Sequence, residues 1–165
     1  MKSLFICAFV ATMLATASEL INAQMPAPLR DSHAATSDEW KKAAPTLQAA
    51  FDCRQTLQHT DAVKAVFGAT NDQLTGEYPL PAPISVYGLK ASAISVFEGS
   101  DDEGSSYTLQ LGGESITRIA KAAKLTKDKK GPRYIRQVKN GGLLEASELQ
   151  PGHAQLSCIW GARDE

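Results

Sequence analysis

Apolar positions along the chain fall into two periods, and the period changes three times. Residues 45–57, PTLQAAFDCRQTL, predict a helix: Ala43, Leu47, Ala50, Phe51, Cys53 and Leu57 share one broad face at about 100° per residue. Pro45 suits its first turn. A second, shorter helix is expected over 60–68, with Thr60 as cap, Asp61 at the positive end and Gly68 as stop. Residues 71–83 carry three prolines and a glycine and read as a loop. The period then becomes two. Strands are predicted at 84–89, 91–97 and 106–111, the last with Tyr107, Leu109 and Leu111 on one face. A third helix follows at 115–125, where Ile116, Ile119, Ala120 and Ala123 make a narrow stripe and Arg118, Lys121 and Lys124 point away. Asn140-Gly141 between two strand-like runs in 133–147 signals a hairpin. A final strand, 154–160, puts Ala154, Leu156, Cys158 and Trp160 on one face. The order predicts an α+β fold: an antiparallel β-sheet with two N-terminal helices and one inserted helix packed on one face.

The N-terminus changes the setting. Lys2 followed by the apolar run LFICAFVATMLA, 4–15, reads as a secretory signal at 1–23, cut after Ala23, and is too short to span a membrane. Residues 24–40 lack a period and are expected to form a flexible arm, leaving 41–165 as a single domain. No later segment approaches a transmembrane run, so a periplasmic or secreted location is expected. Two cysteines follow the signal, Cys53 and Cys158. In an exported chain, with no CxxC spacing or neighbouring histidine to favour thiol catalysis or a metal, they are expected to form a disulfide.

Charge is near balance at −1, but its layout is uneven. Nine Lys and Arg lie between 118 and 139 against the single acid Asp128. Lys121, Lys124, Lys127, Lys129, Lys130 and Arg133 are candidate anion-binding residues. Nucleic acid is not expected as a partner, because few aromatics are interleaved to stack bases. The opposite sign gathers at Glu98, Asp101, Asp102 and Glu103, in the connection between two strands. Contiguous acids cannot converge on calcium as an alternating D-x-D-x-D-G loop does, so they read as a solvated turn and an acidic contact patch. The proline loop around Tyr78 is a second candidate contact surface.

The remaining chemistry is sparse. GSSY at 104–107 lacks the G-x-S-x-G order, and the sequence contains no HExxH, P-loop or dinucleotide fingerprint. His33, His59 and His153 all fall in the arm or in predicted connections. No enzymatic activity, cofactor or metal is expected.

The signal at 1–23, the DAVKAVFG helix ending in glycine before a strand-rich half, and the long-range pair Cys53 and Cys158 resemble small exported bacterial inhibitor and immunity proteins. That resemblance implies a periplasmic protein that binds and blocks an envelope-targeting enzyme or toxin. Two other classes remain open: a binding module for an anionic ligand or envelope component, and a small hydrolase assembled from His59, His153 and an acid.

Overall fold

The computed structural model of the protein describes residues 36–70, 74–99 and 103–161. The expected signal and residues 24–35 of the expected arm lie outside them. The elements run α1 Ser37–Phe51, α2 Asp61–Phe67, β1 Gly76–Val86, β2 Leu89–Glu98, β3 Ser105–Gly112, α3 Ile116–Ala122, β4 Thr126–Lys127, β5 Tyr134–Gln137, β6 Leu143–Gln150 and β7 His153–Trp160. The strands form one sheet in the order β1-β2-β3-β7-β6-β5-β4, and every neighbouring pair is antiparallel. The α+β class holds, with all three helices on one face.

Helix α1 starts eight residues before the expected Pro45. Thr36 and Glu39 form a capping box: the Glu39 amide donates to Thr36 Oγ1 and the Thr36 amide donates to Glu39 Oε2. Residues 37–40, expected in the arm, are therefore helical. Pro45 lies in the helix interior and lacks the N–H that would bond back four residues. Helix α1 also ends earlier than expected, because Cys53 takes a left-handed conformation at φ 59°. There the Arg54 amide reaches Ala49 O and the Cys53 amide reaches Ala50 O. Lys124, at φ 55°, stops α3 in the same way, with the Leu125 amide on Ala120 O. Glycine usually fills this position, as Gly68 does after α2.

The core is built from rows of facing side chains. Tyr78, Ile94, Leu109, Leu156 and Ala146 stand opposite one another across five strands, and Val96, Tyr107, Cys158 and Leu144 form the next row. All nine are buried. Phe51 of α1 meets Tyr107 edge-on with centroids 6.5 Å apart, and Phe67 of α2 lies 4.5 Å from Tyr78. The Cys53–Cys158 disulfide joins the end of α1 to the middle of β7 across 105 residues.

The predicted proline loop is largely strand β1. Pro79, Pro81 and Pro83 are tolerated because β1 is an edge strand, where missing N–H groups interrupt no second ladder. The register with β2 shifts between Pro79 and Ile84. The predicted strand 84–89 is the end of β1, a turn at Tyr87-Gly88 with both residues at positive φ, and the first residue of β2. The other edge is β4, two residues long and bearing Lys127. Although four strands separate β1 from β5, the Tyr87 hydroxyl accepts from Arg136 Nη2 at 3.1 Å. The same hydroxyl donates to Asp52 O at 2.8 Å, and the guanidinium lies 5.6 Å from the Tyr87 ring centroid. The sheet therefore curls round the C-terminal end of α1.

Candidate functional site

Among the described residues no element covers the face of the sheet opposite the helices, which carries the alternate residues of each strand. Three cross-strand rows define its centre on β2, β3 and β7: Ala93, Gln110 and Gln155; Ser95, Thr108 and Ser157; Phe97, Ser106 and Ile159. The chain is 21% charged, yet none of these nine positions is Asp, Glu, Lys or Arg. A solvated sheet face ordinarily alternates apolar-in with polar-out, charges included. Here the charges stand at the margins. Glu77 of β1 faces Ser95, and Glu145 of β6 faces Ser157. Arg133 holds Glu145 at 2.9 Å and Asp128 at 2.7 Å.

One row is apolar. Phe97, Ile159 and Leu143 lie along a single line, interrupted by Ser106. Phe97 is 44% exposed, and Ile159 and Leu143 are half-buried. This row borders the connection that contains Glu103. The middle row is locked from within, since the Thr108 and Ser157 hydroxyls are 2.8 Å apart. Strands fix these side chains, and the disulfide on the opposite face of β7 anchors that strand to α1.

The expected site residues fall in several places. Cys53 and Cys158 are bonded and buried. Glu98 points to the helix-covered side and pairs with His59 Nε2 at 2.8 Å, so it pins the α1–α2 connection rather than forming an open acidic patch. Glu103 is exposed in the turn closed by the Gly99 amide on Gly104 O. Asp101 and Asp102 lie outside the described residues. Tyr78 is a correction: it is 1% exposed and cannot meet a partner. With β1 a strand, alternation turns Tyr78 toward Phe67, and its hydroxyl donates to Thr75 O.

The basic residues do not converge on one site. Lys121 lies in the last turn of α3, Lys124 just beyond its end, Lys127 on β4, and Lys129 and Lys130 in the β4–β5 turn; all are exposed. Lysines on a short edge strand also hinder pairing with another sheet, which gives Lys127 a structural use. Arg133 is committed to its two carboxylates. The Lys130 amide, then the Arg133 guanidinium, hold the Asp128 carboxyl below the usual carboxylate range. Where α1 meets Tyr87, burial pushes the Asp52 carboxyl up despite Arg54 at 3.0 Å, and burial likewise raises the Tyr87 phenol.

The histidine-based hydrolase arrangement does not form. His59 is held by Glu98, which faces Ser105 at the start of β3, whereas His153 faces Gly112 at its end. Seven residues of strand separate them, about 24 Å.

Sequence reasoning missed the uncovered face. Its signal was the other phase of the same alternation, A-S-F in β2, S-T-Q in β3 and Q-S-I in β7, a phase that is uncharged throughout and polar except at Ala93, Phe97 and Ile159. No protein-family model, curated protein or solved structure matches the chain.

Proposed function

We propose that this is an exported, non-enzymatic protein-binding protein of inhibitor or immunity type, and that it engages its partner through the uncovered face at the Phe97 end. The observation that carries this reading is the charge-free centre of that face, with Phe97, Ile159 and Leu143 along one row and charges only at its margin. Depletion of charge at the centre and a polar rim are what distinguish an interface from ordinary surface. An aromatic side chain exposed beside aliphatic neighbours on a rigid strand suits the role of an anchor. Glu103 at that end favours a basic partner and would speed its approach.

The disulfide and the lack, among the described residues, of a helix able to cross a membrane accord with an envelope location. The test is affinity capture from envelope extract, with wild-type protein and a Phe97→Glu variant as parallel baits. Wild type should retain a protein in stoichiometric amount, and the variant should lose it while keeping its fold by circular dichroism. Equal retention by both baits, or by neither, would refute the assignment of this face.

A further inference from the structure

The end of the uncovered face away from Phe97 holds a depression of about 460 Å³. Small-molecule sites span roughly 300 to 1,000 Å³. Its floor is formed by Ser95, Thr108, Gln110 and Gln155, with Glu77 on one rim and Leu149 on another. We propose that this depression binds a neutral polyhydroxylated ligand, a saccharide of monosaccharide to disaccharide size. This goes beyond the protein-binding reading and uses the opposite end of the face, so either can fail alone.

The lining selects among ligand chemistries. Hydroxyls and carboxamides on the floor would be left unpaired by an apolar ligand, at a cost for each group buried. The ionisable side chains lining the depression are the exposed Glu77 carboxylate and the exposed His153 imidazole, with no Lys or Arg, and Glu77 opposes a phosphate or carboxylate. One carboxylate is too few for calcium, which takes six to eight oxygens. A peptide strand finds little main chain to pair with. The backbones of β2, β3 and β7 are spent in their own ladders, and the nearer edge, β1, lacks N–H groups at three prolines.

What remains available is a set of side chains that both donate and accept. Ser and Thr hydroxyls do so through one atom, and Gln carboxamides through two. Adjacent sugar hydroxyls have the same dual character, and a carboxylate such as Glu77 can accept from two of them. Part of the set is already oriented. Thr108 is bonded to Ser157, and Gln155 Nε2 donates to Ser147 at 3.1 Å, which leaves the Gln155 carbonyl oxygen to accept. Such prior ordering lowers the entropic cost of binding. Leu149, 74% exposed on the rim, offers an apolar surface for the C–H face of a pyranose ring.

The test is an amide-resolved NMR titration of the full chain with N,N′-diacetylchitobiose, maltose and cellobiose, and with inorganic phosphate and argininamide as contrasts. At least one sugar should give saturable shifts at Ser95, Thr108, Gln110 and Gln155, with a Kd on the order of millimolar. Glu77→Ala and Gln110→Ala, both at exposed positions, should each weaken binding about tenfold with the spectrum otherwise unchanged. Ser95→Ala serves as a third variant should either of these perturb the fold. The proposal is overturned if no sugar gives saturable shifts there up to about 50 mM. It is equally overturned if phosphate or argininamide shifts those residues more strongly, or if the variants bind as wild type does.

Discussion

Removing the disulfide tests how the scaffold is held. The double variant Cys53→Ala/Cys158→Ala opens a loop whose ends lie 105 residues apart. In the chain-entropy account, a loop of that length stabilises the fold by about 4.7 kcal/mol at 25 °C, by restricting the unfolded chain. At about 4 °C per kcal/mol for a domain of this size, Tm should fall by roughly 15 to 20 °C. A second term has the opposite sign. Cys53 holds a left-handed conformation that costs a residue with a Cβ about 1 to 2 kcal/mol and glycine almost nothing. The variant Cys53→Gly/Cys158→Ala should therefore be about 1 kcal/mol more stable than the double alanine variant. Urea unfolding at constant pH, without reductant, measures both differences. A loss below about 1 kcal/mol in the double alanine variant would refute the entropic argument. A glycine variant no more stable than the alanine one would refute the assignment of strain to residue 53.

Tyr78→Ala should cost about 3 to 5 kcal/mol in urea unfolding, as truncation of a buried aromatic does, and a surface-sized effect would return Tyr78 to the list of contact residues. Gly104→Ala should destabilise by about 1 to 3 kcal/mol, since φ is 72° and a Cβ there would run into the Trp160 carbonyl; unchanged stability would show that the turn relaxes. Asp128 has a folded pKa below its unfolded value, so its contribution is fully present above about pH 4 and is lost as pH falls through the folded value. Asp128→Asn should accordingly flatten the acid limb of a stability–pH curve and leave its slope near neutrality alone. Lys121→Gln combined with Lys124→Gln should move stability by no more than about 0.5 kcal/mol, because both side chains are exposed.

The parts of the fold legible in the sequence are those in which local chemistry and packing agree. Thr60 and Gly68 mark α2 at both ends, and strict alternation marks β3 and β7 and places Cys158 inward. The ends of α1 were misread for two separate reasons. The Thr36–Glu39 capping box stands in sequence but was absorbed into a segment that looked unstructured. The stop at Cys53 carries no sequence signal, because a cysteine occupies the position usually given to glycine. Strand β1 was concealed by its prolines, which exclude a central strand but not an edge strand. Strand β4 is too short to show a period. The contact of Tyr87 with Arg136 depends on the curl of the whole sheet and has no local trace. The cysteine pair was legible because only two cysteines follow the expected signal, without CxxC spacing or a neighbouring histidine. The uncovered face has no local motif, because it is marked only by the absence of charge from nine strand positions that the sheet brings together.

The edges of the sheet bear on how chains can associate. Along β1 three prolines withhold donors that an added strand would need, and at the other end β4 offers two residues, one of them Lys127. Both margins therefore disfavour the addition of a further strand, and with it edge-to-edge growth from chain to chain. What the sheet presents to a neighbour is a surface of side chains rather than a row of open backbone groups.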